Sequence, residues 1–432
     1  MNTQKELEKS ATDKEIKKLV KKNIILLLTG KFVSVLGSQI YSFAISLYVL
    51  SITGSGLSFS LNLALSTLPR VIFGPISGVI ADRVDRKKMV VAMDIISGLV
   101  IISLFALSIT DELRLIYIYV TTFLLSTCSI FFNTPLIASY PNIVDDKNLT
   151  RINSLSQTIE STSSIAGPFI GGIVYAIINI KMFLFINGIS FVISGISELF
   201  IDFKLNSDEE GLEDDKIESE KVTFFIDLKK GLKYIATQKW LIVLSLFFVV
   251  LNMLLMMGIM VPIPYIVREI WGFTSQQYGY LNSMFPVGIL VGSLLLAVLP
   301  QKGKKFKRLM IFTMVFSLAV ILVGIVVSEA FFTLSNLQYL FILMGLYFII
   351  AASAIFINVP LEVTLQRLVP DDKRGRVEGS LGSLSEALSP IGVILAGVLV
   401  DLISPWILPI ASGIIMLVLS LVMSRVKVIK EI

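Results

Sequence analysis

The sequence predicts an all-α integral membrane protein with twelve transmembrane helices in two pseudo-symmetric six-helix bundles. Apolar residues make up 55% of the 432-residue chain, charged residues only 16%, and the mean hydropathy is +0.83. A soluble domain usually carries about 25% charged residues. The charges also occur in short clusters between apolar runs that are long enough to cross a bilayer as helices. Finally, the two halves of the chain repeat a set of Pro, Arg and Gly positions.

Twelve apolar runs alternate with charged or turn-rich segments. Each run is predicted to span the membrane as a helix, because a helix satisfies its own backbone hydrogen bonds in lipid. Several runs exceed the roughly 20 residues that a span requires, and tilting or extension beyond the bilayer accommodates the excess. The runs lie near residues 24–52, 58–81, 89–109, 114–139, 153–179, 182–202, 240–266, 276–299, 309–328, 338–360, 377–402 and 405–424.

Lysine and arginine are distributed unequally between the two sides that these spans define. The two termini and five of the connections hold 32 of the 37 basic residues. The opposite side carries only Arg114, Lys181 and Arg268, while Lys31 and Arg70 lie within spans. Basic loops stay in the cytoplasm of membrane proteins. We therefore expect a multi-pass protein of the cell membrane with both termini in the cytoplasm.

A long polar connection divides the spans into two groups of six. It begins with an acidic segment and continues with Phe225, Leu228, Leu232 and Ile235 at helical spacing, with lysines between them. This pattern predicts an amphipathic helix, either on the inner membrane surface or packed on the cytoplasmic ends of the bundle. The predicted organisation is a tail over 1–23, bundles over 24–202 and 240–424, a linker over 203–239 and a second tail over 425–432.

The two halves share an internal repeat. Three pairs of residues are each separated by 225 positions: Pro135 and Pro360, Arg151 and Arg376, and Gly172 and Gly397. An Asp-Asp-Lys turn also occurs in each half, displaced by one residue. Duplicated halves are typical of secondary transporters, whose substrate sites lie between the halves near the bilayer midplane. A chance coincidence of Pro and Gly positions is the alternative.

The connection between the second and third runs holds Gly, Asp and basic residues in a fixed order. A small residue permits close helix contact, and a basic cluster binds anionic lipid. The segment resembles the signature loop of the major facilitator superfamily, with Asp in place of the second Gly, as in the macrolide-efflux branch of the drug:proton antiporters. The resemblance implies a gating loop, and a plain basic loop is the alternative. The residues are Gly78, Asp82, Arg83, Asp85, Arg86, Lys87 and Lys88.

The fifth run contains Gly167-Pro168-Phe-Ile-Gly171-Gly172. Pro kinks a helix, and the glycines permit bending and close contact. The segment resembles a motif that exporters of the same superfamily carry in this span, which favours export over import. The match is partial, because Ser163 stands where the fuller motif has Gly. The arginine that many drug antiporters carry in span four has no counterpart within 115–139.

Ionisable residues inside spans are candidates for function, because a charge in hydrocarbon is unfavourable. A buried carboxylate without a cationic partner binds a proton readily, and it can also bind a cationic drug. Asp94 is expected to serve the gating loop, and Glu160 is either a coupling residue or the partner of Arg70. Glu198 is expected to reach the membrane interface. The coupling candidates are Glu160, Glu386, Arg70, Asp94 and Lys31.

The functional expectation is proton-driven export of amphipathic small molecules such as macrolides. A lysophospholipid or siderophore carrier of the same fold is the alternative, and a non-transporting receptor or scaffold is a third possibility. ATP-driven pumping is disfavoured, since the chain has no phosphate-binding loop motif. With one cysteine and no histidine, no disulfide or Cys/His metal site is expected, and no cofactor, metal or enzyme activity. The expected partners are cargo, protons and the lipid bilayer, with no nucleic acid, and the protein is expected to be a monomer.

Overall fold

The computed structural model describes residues 2–81, 83–110, 113–144, 146–203, 205, 230, 232–298, 305–328 and 334–426. Within these ranges, some side chains are not described, namely those of 2–17, 75, 79, 146–147, 305, 366, 371–372, 374–376, 378–379, 383 and 385–387. The described residues form helices and connecting turns, with no β-strand. The predicted all-α class is therefore confirmed.

The first seven helices precede the central connection. They are α1 (Asn2–Thr53), α2 (Gly56–Ala81), α3 (Arg86–Thr110), α4 (Leu115–Ala138), α5 (Tyr140–Ile143), α6 (Asp146–Ile177) and α7 (Ile180–Glu198). Seven more follow. They are α8 (Lys239–Leu255), α9 (Pro262–Tyr265), α10 (Ser275–Val298), α11 (Lys305–Val326), α12 (Asn336–Leu368), α13 (Asp371–Leu402) and α14 (Ile407–Arg425).

Two π-helical turns, Met256–Met260 and Ile266–Ile270, flank the short helix α9. Pro262 and Pro264 lie in this helix. Proline has no backbone N–H and clashes with the carbonyl four residues earlier, so the regular hydrogen-bond ladder cannot continue through it. A wider π turn on either side of the prolines lets the helical run from 239 to 270 continue across the membrane.

Ten of the described helical segments are long and apolar enough to cross a membrane. Helices α6 and α13 are not among them. Helix α6 carries many Ser and Thr residues between 150 and 164, and the apolar part of α13 is only Leu388–Leu402. Polar residues lower the mean hydropathy of a span that faces other helices or a polar cavity. The count of twelve spans therefore stays a prediction.

The chain divides into two compact units. Unit 1 comprises 1–41, 72–167 and 179–220, and unit 2 comprises 42–71, 168–178 and 221–432. Helices α1, α2 and α6 therefore contribute residues to both units, and the division does not follow the bundle boundaries expected from hydropathy. Those boundaries stay a prediction, and most of the predicted linker lies outside the described residues.

Glycines set the helix packing of unit 1. Gly98 of α3 and Gly188 of α7 face each other: a Cβ at Gly98 would lie 2.7 Å from the carbonyl oxygen of Gly188. Contacts this short leave no room for a side chain, so the two backbones approach closely. The apolar core of the unit includes Ile24 and Leu27 of α1 and Phe132 of α4.

Close helix contacts at glycines also determine the packing of unit 2. A Cβ at Gly288 of α10 would lie 2.7 Å from the carbonyl oxygen of Phe348 in α12, and a Cβ at Gly413 of α14 would lie 2.8 Å from the amide nitrogen of Ile321 in α11. The helical residues 232–237 lie within the predicted linker, and Ile235 there packs in a cluster with Leu241 of α8. Phe225 and Leu228 of the predicted amphipathic helix lie outside the described residues, so its position on the membrane surface or on the bundle stays a prediction.

Candidate functional site

Lys31 projects from α1 into a polar cluster of unit 1. Its Nζ lies 2.6 Å from Glu160 Oε1 of α6 and donates to Ser156 Oγ at 2.5 Å. It also donates to the hydroxyl of Tyr140 at 3.5 Å, which lies 2.8 Å from Ser156 Oγ. We call Lys31, Tyr140, Ser156 and Glu160 the Lys31 cluster. A buried ammonium group needs this compensation, because removing an unpaired charge from water is strongly unfavourable.

The two charged members of the Lys31 cluster differ in exposure. The side chain of Lys31 is 0% exposed, whereas that of Glu160 is 40% exposed. The cluster therefore has one closed side, formed by the lysine and the two hydroxyls, and one open side, formed by the carboxylate. Part of the Glu160 side chain thus lies at the surface of the protein, whereas the Lys31 side chain does not.

A second polar cluster lies between α1, α3 and α7. Ser34 Oγ of α1 donates to Asp94 Oδ2 of α3 at 2.5 Å and lies 3.0 Å from Ser194 Oγ of α7. Ser194 Oγ donates to the carbonyl of Gly30 at 3.1 Å. Glu198 lies one helical turn after Ser194 on the same face of α7. We call Ser34, Asp94, Ser194 and Glu198 the carboxyl cluster.

Both acids of the carboxyl cluster are buried. Asp94 is 2% exposed and Glu198 is 1% exposed. Within the described residues, Glu198 Oε2 has no hydrogen-bond partner. Glycines make room for these side chains: a Cβ at Gly30 would lie 3.2 Å from Glu198 Oε1, and one at Gly195 would lie 3.3 Å from Asp94 Cβ.

The expectation that Glu198 reaches the membrane interface was wrong. The chain beyond α7 turns back and places Ile201 and Phe203 in the same apolar core as Ile24 and Leu27 of α1. These residues cover the end of α7, so the Glu198 side chain is enclosed by protein. The apolar run predicted near 182–202 corresponds to a helix that ends at Glu198, but hydropathy contains no information about the segment that covers this end.

The predicted gating loop connects α2 and α3 through basic side chains. Arg86 Nη1 donates to the carbonyl of Ala138 at 2.7 Å, and its Nε donates to that of Ala81 at 3.3 Å. Lys87 Nζ donates to the carbonyl of Ile201 at 2.8 Å. These carbonyls lie at or after the C-terminal ends of α2, α4 and α7, where the helix dipole favours cations. The loop therefore holds three helix ends together within unit 1.

The other residues of the predicted gating loop are Asp85, Arg83, Gly78 and Asp82, and the structure describes all of these but Asp82. Asp85 Oδ1 accepts a hydrogen bond at 3.1 Å from the backbone N–H of Lys88, as expected for the N-cap residue of α3. This bond gives a physical reason for Asp where the superfamily pattern has Gly. Arg83 is exposed, and a Cβ at Gly78 would have no neighbour within 4 Å. Asp82 lies outside the described residues, so its latch role stays a prediction.

The glycine motif of α6 allows close helix contacts. In unit 1, a Cβ at Gly167 would lie 2.5 Å from Gln39 Cβ of α1. In unit 2, a Cβ at Gly171 would lie 3.0 Å from Phe43 Cδ1, and one at Gly172 would lie 2.5 Å from the carbonyl oxygen of Ser275. The carbonyl oxygen of Pro168 would in turn lie 2.6 Å from a Cβ at Gly279 of α10.

The repeated glycines occupy equivalent contacts in unit 2. Gly172 of α6 packs against Gly279 of α10, where a Cβ would meet the Gly279 Cα at 3.2 Å. Gly397 of α13 packs against Gly56 of α2, with a Cβ position 2.8 Å from the Gly56 carbonyl oxygen. Helix α6 thus meets α10 in the manner in which α13 meets α2. This correspondence supports the repeat over a coincidence of glycine positions.

Asp401, near the C-terminal end of α13, caps the beginning of α2 in unit 2. Its Oδ1 accepts from the backbone N–H of Gly56 at 2.8 Å, and its Oδ2 accepts from that of Leu57 at 3.1 Å. The Ser55 hydroxyl donates to Oδ2 at 2.9 Å. An acid is unfavourable at the end of its own helix, and it is stabilised here by the N-terminus of another. Sequence reasoning missed this residue, although an acid in the last turn was a usable signal.

Unit 2 also contains an apolar cavity of about 150 Å³ between α8, α12 and α13. Its walls are formed almost wholly by aliphatic and aromatic side chains, so it suits an apolar group. The lining residues are Leu241, Leu244, Ser245, Phe248, Val249, Leu361, Leu365, Leu381 and Gly382.

The remaining coupling candidates are not part of these clusters. Arg70 is exposed and belongs to unit 2. The Glu386 side chain lies outside the described residues. The ion pair that the structure shows for Glu160 is with Lys31, and Asp94 bonds Ser34. The geometry therefore brings together Lys31 with Glu160 and Asp94 with Glu198, and the functional roles of all these residues stay predictions.

Comparison with known proteins shows that this chain is similar to transporters. The family model described as Major Facilitator Superfamily matches residues 27–259 and 246–430. Macrolide efflux protein A of Streptococcus pyogenes is 25% identical over 410 residues, covering 93% of this chain and 95% of that protein. Multidrug efflux pump Tap of Mycolicibacterium fortuitum is 23% identical over 389 residues, covering 88% and 89%. A bacterial homologue of the iron transporter ferroportin, solved in an inward-facing state, shares the fold with a TM-score of 0.69 and 15% identity, covering 93% of this chain and 98% of that one.

Proposed function

This chain belongs to the Major Facilitator Superfamily, and we propose that it is a secondary exporter that exchanges amphipathic small molecules for protons by alternating access. Membership confirms the family resemblance that the loop and span-five motifs predict. Relatives named for macrolide efflux and multidrug efflux support a cargo of that class. The proposed site of action is the cell membrane, with both termini in the cytoplasm and a single chain as the working unit.

The Lys31–Glu160 ion pair is the observation that carries the coupling proposal. Lys31 is fully buried, and its partner Glu160 is 40% exposed. The charge of Lys31 is therefore compensated only as long as Glu160 is ionised and near. A proton or a cationic group on the cargo that binds Glu160 weakens this compensation. Binding of a proton or a cationic group to the exposed Glu160 carboxylate thus changes the electrostatic energy of the buried Lys31 ammonium group.

Competition at Glu160 explains antiport in physical terms. Proton and cationic cargo both bind the same carboxylate, and each excludes the other. A protein that changes conformation only when one of the two is bound then exchanges them across the membrane. The apolar cavity of unit 2 supports a cargo with a hydrophobic part, because its walls offer few polar contacts.

Everted membrane vesicles test this proposal. Vesicles with an acidified interior and a pH-sensitive dye receive macrolides, lipophilic cations, lysophospholipids and siderophores one at a time, with vesicles lacking the protein as reference. We expect macrolides or lipophilic cations to release protons only when the protein is present. Glu160→Gln should abolish this release, while the exposed control Glu362→Gln should retain it. Release by lysophospholipids or siderophores alone would replace the cargo class, and no release by any compound would contradict proton exchange.

A further inference from the structure

We infer that Asp94 and Glu198 form a proton-binding site, enclosed between α1, α3 and α7, in which the two carboxyl groups hold one proton between them. Its part in coupling rests on the proposed function, whereas the binding of the proton does not. The site is separate from the Lys31 cluster and is not predicted by either sequence motif.

The first argument is enclosure. The side chains are 2% and 1% exposed, and both face the same segment of α1. Ser34 of that segment donates to Asp94 at 2.5 Å, and a Cβ at Gly30 would lie 3.2 Å from Glu198 Oε1 and 3.3 Å from Ser194 Oγ. Two ionised carboxylates cannot share a site of low dielectric without strong repulsion, so one of them binds a proton.

The second argument is the absence of a counter-charge among the described neighbours. On α1, the Lys31 ammonium group is held by Glu160 at 2.6 Å. On α3, Lys87 donates to the Ile201 carbonyl at 2.8 Å and Arg86 to the carbonyls of Ala138 and Ala81. Helix α4 contributes the buried thiol of Cys128. In the described ranges, neither Asp94 nor Glu198 forms an ion pair, so no cation offsets a second negative charge.

The third argument is the hydrogen-bond inventory. Ser34 bonds Asp94, as a donor does with an ionised carboxylate. Glu198 Oε2 is buried and accepts no hydrogen bond in the described part of the chain. An ionised carboxylate in that position would lack the donors it needs, whereas a protonated one requires fewer and carries no charge. The proton therefore resides mainly on Glu198, and the negative charge on Asp94.

Helix α1 connects this site to the Lys31 cluster. Gly30 and Ser34 contact the carboxyl cluster, and Lys31 is adjacent to Gly30 in the chain. Loss of the proton places two negative charges against this segment and forces α1, α3 and α7 apart. Because both acids are buried, the proton exchanges with water only when this packing opens. The protonation state of Asp94 and Glu198 therefore affects the position of α1, the helix that carries Lys31, the partner of Glu160.

Infrared difference spectroscopy of the purified full-length protein in lipid nanodiscs tests this inference directly. At neutral pH, the wild type should show the carbonyl-stretch band of one protonated carboxyl group, and the band should shift in D₂O. Glu198→Gln should remove that band, whereas Glu160→Gln should retain it. Asp94→Asn should keep the band with a changed frequency, since Glu198 stays buried and neutral. A band that is absent in the wild type, or unchanged in Glu198→Gln, overturns the inference.

The outcome is distinguishable from failure of the proposed function. The infrared band can depend on Glu198 even though vesicles that contain the protein release no protons when cargo is added. That combination supports the proton-binding site and contradicts antiport. Proton release without such a band leaves antiport standing and contradicts the site. Size-exclusion profiles identify any variant that fails to fold, and Asp94→Asn supplies an independent result if Glu198→Gln does so.

Discussion

The Lys31 cluster and the carboxyl cluster are both attached to α1, and they compensate buried charge in opposite ways. In the Lys31 cluster, one cation meets one acid, two hydroxyls complete its hydrogen bonds, and Glu160 remains 40% exposed. In the carboxyl cluster, Asp94 accepts a hydrogen bond from Ser34, Glu198 Oε2 has no partner among the described residues, and both acids are almost wholly buried. An ion pair with an open side can exchange ligands readily. Two buried carboxyl groups without a cation must bind a proton, because the proton reduces their combined negative charge.

Breaking the ion pair should have the largest effect on stability. Glu160→Gln leaves the Lys31 ammonium group buried without a counter-charge. We expect a loss of about 2–3 kcal/mol in the free energy of unfolding, below the loss typical of a fully buried pair because Glu160 is half exposed. The thermal unfolding midpoint in detergent measures the effect.

A double variant provides the control for that experiment. Lys31→Met together with Glu160→Gln removes both charges, so most of the lost stability should return. If the double variant is as unstable as Glu160→Gln alone, the loss does not come from an uncompensated lysine, and the interpretation of the Lys31 cluster is wrong.

Crowding the carboxyl cluster should have an intermediate effect. Gly30→Ala places a Cβ 3.2 Å from Glu198 Oε1 and 3.3 Å from Ser194 Oγ. We expect a loss of about 1–2 kcal/mol, because a closely packed site must shift to accept the methyl group. Gly345→Ala is the matched control, since no atom lies within 4 Å of its Cβ position. That variant should gain a little stability from helix propensity; a similar gain for Gly30→Ala would show that the carboxyl cluster is not tightly packed.

Removing one hydroxyl should have the smallest effect. Ser34→Ala deletes the hydrogen bond to Asp94 and leaves the Lys31 cluster intact. We expect a loss of about 1 kcal/mol in the free energy of unfolding, typical of one buried hydrogen bond. Ser38→Ala is the control, because the one bond that the Ser38 hydroxyl makes to the described residues is to the carbonyl of Ser34 in its own helix. If Ser38→Ala lowers the free energy of unfolding more than Ser34→Ala does, Ser34 does not have the role in the carboxyl cluster that we assign to it.

The sequence was sufficient for the level of organisation that depends on composition and spacing. Apolar runs predicted the helices, and the loop and span-five motifs predicted the superfamily, which the family comparison confirms. The repeat at Gly172 and Gly397 predicts equivalent helices, and the contacts of these glycines with α10 and α2 correspond.

Pairing between distant side chains was decided by the tertiary structure. Lys31 and Glu160 are 129 positions apart, and the sequence left Arg70 as an alternative partner for that acid. Asp94 and Glu198 lie on different helices, and only the packing of α3 against α7 through Gly98 and Gly188 brings them to one site. Hydropathy and helical period determine which residues enter the membrane and which of them share a face of one helix. They do not determine how that face is rotated toward its neighbours, and this rotation decides whether a buried charge finds a partner.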